Sequence, residues 1–62
     1  MIIVVQVINT ANNYACGRYS IPKEEYNALI KYLKRKIKIE LTFKIIGKAI
    51  APDEFRPWKY SK

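Results

Sequence analysis

The sequence predicts a small α+β domain of order β-β-α-β(β), an antiparallel-rich sheet with one amphipathic helix on one face. Three observations predict it. Residues 2–9 are an unbroken β-branched run, IIVVQVIN, too short for a helix. Tyr26, Leu29, Ile30, Leu33 and Ile37 recur at i, i+3, i+4, i+7 and i+11, a single helical apolar stripe. Residues 37–46, IKIELTFKII, alternate apolar and polar, as in a strand with one wet face.

In the first strand Ile3, Val5 and Val7 make one face. Ile2, Val4 and Ile8 make the other, interrupted by Gln6. Two apolar faces predict a central strand. One helix covers only one side of a sheet, so Ile2, Val4 and Ile8 are the predicted surface for a second copy, and a homodimer is expected. Residues 10–13, TANN, read as a turn because Asn tolerates left-handed backbone. YACGRYSI then reads as a second, hairpin strand, with Ala15, Gly17, Tyr19 and Ile21 on one face and Tyr14, Arg18 and Ser20 on the other.

The helix is predicted from Pro22 to about Lys36. Pro suits a first helical turn, and Glu24 and Glu25 sit near its positive end. In the third strand Ile37, Ile39, Leu41, Phe43 and Ile45 are predicted inward, and Lys38, Glu40, Thr42 and Lys44 outward. Gly47 breaks that phase and predicts a bulge or tight turn. APDEF reads as one helical turn stopped by Pro57, and PWKYS as a short last strand.

The chain reads as one domain, 1–62. A domain this short buries only about 60% of its unfolded surface, so it needs a staple, tight packing or a partner chain. Cys16 is the one cysteine and there is no histidine, which excludes an internal disulfide and argues against zinc. No stretch approaches the roughly 18 apolar residues of a membrane span. The first eight residues lack the basic start of a signal peptide. The expectation is a soluble, cytoplasmic protein with a reduced thiol, no membrane partner and no cofactor.

The pattern of a hairpin leading into IPKEEYNALIKYL, then a strand ending in GKAIAPDEFRPW, resembles small uncharacterised bacteriophage and prophage accessory proteins. The resemblance implies an accessory role for a mobile element, in the host-cell cytoplasm, with no active site attached.

Chemistry has few carriers. Without histidine no His-based triad or general base exists. Glu24 and Glu25 are adjacent on a helix and diverge by about 100°. Asp53 and Glu54 follow Pro52, where capping is expected. Gly17 and Gly47 stand alone, so there is no phosphate loop. No catalytic residue, metal ligand or small-molecule substrate is predicted.

Two clusters are candidates for binding. Lys31, Lys34, Arg35, Lys36 and Lys38 hold five of the twelve basic residues of a chain with net charge +7. They read either as a phosphate grip for nucleic acid or as a solvated helix end matched to its dipole. Glu40 in the following strand, and a wet face with no aromatic residue, argue against an RNA-recognition sheet. The second cluster is FRPWKYSK, in which Phe55, Arg56, Trp58 and Tyr60 have the residue types enriched at interface hot spots. The alternative is that Phe55 or Trp58 closes a small core. The favoured reading is a non-enzymatic inhibitor or accessory protein that binds a host macromolecule with an acidic surface. Direct nucleic-acid binding is the second.

Overall fold

Asn13 sits at φ 62°, a left-handed conformation that Asn accepts more readily than most residues. It completes the turn between β1 (Ile2–Asn9) and β2 (Tyr14–Pro22) in a computed structural model that describes residues 1–60. Ser61 and Lys62 lie outside the described residues, as do the side chains of Lys59 and Tyr60. Asparagine side chains hold the turn: Asn9 Oδ1 accepts from Ala11 N–H at 3.0 Å and Asn12 Oδ1 from Tyr14 N–H at 3.1 Å.

A single 3-10 turn, Lys23–Glu25, leads into α1 (Tyr26–Lys36). The chain then returns as β3 (Leu41–Ala49), which pairs antiparallel with the far side of β1. The sheet order is β2-β1-β3. β1 is therefore central, as its two apolar faces require. β2 and β3 run parallel to each other with β1 between them, and α1 carries the chain across.

One sheet face makes the core. Ile3, Val5 and Val7 of β1, Ile21 of β2 and Leu41 of β3 are buried against Leu29 and Leu33 of α1, with Trp58 closing the cluster. Each such side chain contributes about 1.5–3 kcal/mol by leaving water. Tyr26 and Ile37 of the predicted stripe pack on this cluster. Ile2, Val4 and Ile8 occupy the opposite face, each half-buried.

Two bulges correct the face assignments. Val7 pairs with Gly17 but Ile8 with Ala15, so Cys16 is the extra residue. Tyr14 and Ala15 therefore exchange the faces expected of them, because one added residue reverses a period of two. Val5 pairs with Ile45 but Val4 with Gly47, so Ile46 is the extra residue of β3. The break predicted at Gly47 is thus a bulge one residue earlier, and the strand continues to Ala49.

The third strand also begins later than its alternation suggested. Residues 37–40 connect the helix end to the sheet, with Ile37 N–H still bonded to Leu33 O at 2.8 Å. Ile39 and Ile45, predicted inward, are 48% and 52% exposed. Past β3, residues 51–56 form no helical turn, and residues 57–60 form no strand. The short helix α2 (Pro57–Tyr60) lies there instead, with Pro57 opening it.

Candidate docking cleft

After β3 the chain crosses to the outer edge of β2. Asp53 N–H donates to Ser20 O at 2.7 Å, and Ser20 N–H donates to Asp53 Oδ2 at 2.9 Å. The acid predicted to cap a helical turn thus caps a strand edge. Beyond it, Arg56 Nη1 donates to Glu25 Oε2 at 2.8 Å, and Trp58 Nε1 donates to Glu25 Oε1 at 2.9 Å. Glu25 holds the tail with both oxygens, and it sits at the start of α1. Its carboxylate makes no cap hydrogen bond to the helix it precedes.

This latch sets Trp58 between Tyr19 of β2 and Tyr32 of α1. The Tyr19 ring meets it edge-on, with centroids 5.9 Å apart and planes at 73°. Tyr32 meets it tilted at 6.0 Å and 55°. Only 7% of Trp58 is exposed. A cleft of about 220 Å³ opens beside it. Tyr32, Leu33 and Lys36 of α1 form one wall, since positions three and four apart share a helix face, and Ile37 just past the helix end continues it. Tyr19 lines it from β2, and Phe55 and Pro57 from the tail. Phe55 is 75% exposed. Lys36 Nζ donates to Tyr32 Oη at 3.2 Å, which places an ammonium at an otherwise apolar and aromatic cleft.

The two sequence clusters therefore meet here in part. Lys36 comes from the basic helix end, and Phe55 and Trp58 from the tail. Lys31, Lys34, Arg35 and Lys38 are exposed outside the cleft. Among the described residues none of these five bases is ion-paired. The tail cluster is divided. Trp58 is a core residue and not an outward anchor, and Arg56 is turned to Glu25. Phe55 alone presents its ring, and the side chain of Tyr60 lies outside the described residues. Ile2, Val4 and Ile8 take no part.

Sequence reasoning missed Tyr19, Tyr32 and Glu25. Tyr32 lies off the main stripe, but its i, i+4 spacing to Lys36 was a usable signal. Glu25 had none, because its partners lie more than thirty positions away. Among the described residues no three His, Cys, Asp or Glu side chains gather to hold a metal. Cys16 is exposed on its bulge. No described helix is long and apolar enough to cross a membrane. No family model, curated protein or solved structure matches the chain.

Proposed function

We propose that this is a non-enzymatic binding protein of the mobile-element accessory type, acting on a host protein. The cleft takes one apolar side chain of an acidic segment of that protein, and the basic end of α1 holds the flanking carboxylates. The observation that carries this reading is the convergence of Phe55, Trp58, Tyr32 and Lys36 on one cleft. At about 220 Å³ it is below the roughly 300–1,000 Å³ of small-molecule sites and is the size of a single side chain. Apolar walls recognise that side chain by burial. Lys36, with Lys34 and Arg35 of the same helical turn, which have no ion-pair partner among the described residues, selects acidic neighbours. A chain without histidine supports binding over catalysis. Two copies act together in this reading.

The exposed, acid-free end of α1 also supports nucleic-acid binding, so the test includes both. Fluorescence anisotropy is measured with peptides carrying one Phe or Leu among Asp and Glu, and with a mixed-sequence oligonucleotide, across a salt series. The expected result is peptide binding that weakens at least tenfold in Phe55→Ala. Oligonucleotide binding without peptide binding, with a salt slope near −0.9 per contact on duplex DNA, transfers the function to nucleic acid. Binding of neither removes both readings.

A further inference from the structure

The two edges of the sheet are treated differently. At β2 the outward backbone groups of Ser20 are taken by Asp53. At β3 no described segment covers the outer edge. Thr10 N–H donates to Glu40 O at 3.1 Å, which fixes the alternation: Glu40, Thr42 and Lys44 aim their backbone groups at β1. Leu41, Phe43 and Ile45 therefore aim theirs outward, and no bond from another described segment outside the ladder reaches them. An open edge with exposed isoleucines is a template for another strand.

The stretch 39–45 is complementary to itself when reversed. About Thr42, Glu40 is opposite Lys44, Leu41 opposite Phe43, and Ile39 opposite Ile45. Leu41, Phe43 and Ile45 lie on the helix side of the sheet and Thr42 and Lys44 on the other, as their partners on β1 show. The bulge at Ile46 limits regular pairing to this stretch. We propose that a second copy of this chain pairs antiparallel along the β3 edge, with Thr42 on the two-fold axis, making a continuous six-stranded sheet.

The axis stands perpendicular to the sheet, so both helices stay on one face. Leu41 and Phe43 exchange backbone hydrogen bonds with Phe43 and Leu41 of the other copy. The 52%-exposed Ile45 carries that face toward the segment before β3 of the other copy, where Ile39 is 48% exposed. On the other face each Lys44 meets a Glu40. A register centred on Phe43 sets Lys44 opposite Thr42 and Glu40 opposite the bulged Ile46, so the ion pairs are lost, and one centred on Lys44 brings Lys44 against Lys44, which like-charge pairing disfavours. The cleft at Phe55 and Trp58 is lined by α1, β2 and the tail and is left open.

The pairing is tested by sedimentation and by cross-linking. Wild type is expected at the mass of two chains at micromolar concentration. Lys44→Glu and Glu40→Lys each raise the dissociation constant about tenfold, and the double exchange restores it. Thr42 faces its own copy as a non-hydrogen-bonded pair, with Cα atoms about 4.5 Å apart, within disulfide reach. In a Cys16→Ser background Thr42→Cys is expected to oxidise to a covalent dimer, and Lys48→Cys to remain monomeric in the gel. The cross-link reports the edge even where a charge exchange disturbs folding. A mass of one chain throughout overturns both the edge and the two-copy reading. A two-chain mass without the Thr42→Cys cross-link overturns the edge alone.

Discussion

The indole nitrogen of Trp58 donates a 2.9 Å hydrogen bond to Glu25 across 33 positions of sequence. The bond joins the end of the chain to the start of α1. It satisfies the one polar atom of a ring that is otherwise in the core. Arg56 occupies the other oxygen of the same carboxylate, so helix start and tail are positioned together. The cleft exists because this latch is closed.

Removing the Trp58 ring leaves a hole in a core that holds eight buried residues among those described. Trp58→Ala is expected to cost about 3–5 kcal/mol, most of the stability available to a domain this small. Urea denaturation measures it. Emission from the native protein, which has one tryptophan, should be blue-shifted and resistant to acrylamide. Red-shifted, freely quenched emission contradicts the packing.

Glu25→Gln removes the charge that Arg56 faces. Arg56 is 13% exposed, and its Nε has no acceptor among the described residues. The uncompensated guanidinium should destabilise the tail by about 1–3 kcal/mol. Hydrogen exchange should speed up over residues 53–58, with β1 keeping its protection. Equal acceleration across the sheet would contradict a local latch.

Backbone geometry separates two positions in irregular backbone. Asn13→Ala places a residue without a turn-forming side chain at φ 62° and should cost about 1 kcal/mol, whereas Asn13→Gly should be close to neutral. Gly47 follows the bulged Ile46, but its φ is not positive and nothing lies within 4 Å of an added Cβ. Gly47→Ala is expected within about 0.5 kcal/mol of wild type. A large loss there would show that the bulge depends on glycine.

Cys16 is the extra residue of the β2 bulge and is exposed. Its thiol should titrate completely with a disulfide reagent in the folded protein, at a rate close to that in urea. Cys16→Ser should leave stability within about 0.5 kcal/mol. A protected thiol in the native protein would place an unforeseen contact on this side of the hairpin.

Some of this architecture is determined by local chemistry alone. The β-branched run with two apolar faces specifies the central strand, the asparagines specify the turn, and the spacing of Leu29 and Leu33 specifies the buried helix face. Each depends on neighbours within a few positions, where periodicity and backbone preference act directly. The tertiary structure decided the rest. Whether Cys16 or Ile46 is passed over in a ladder depends on the strand opposite, so alternation within one strand could not place either bulge or the exposure of Ile45. The tail cluster looked like an outward surface because aromatic and basic residues alternate there. Glu25 turns Trp58 and Arg56 inward and leaves Phe55 outside, and no local pattern encodes a contact between residues more than thirty positions apart.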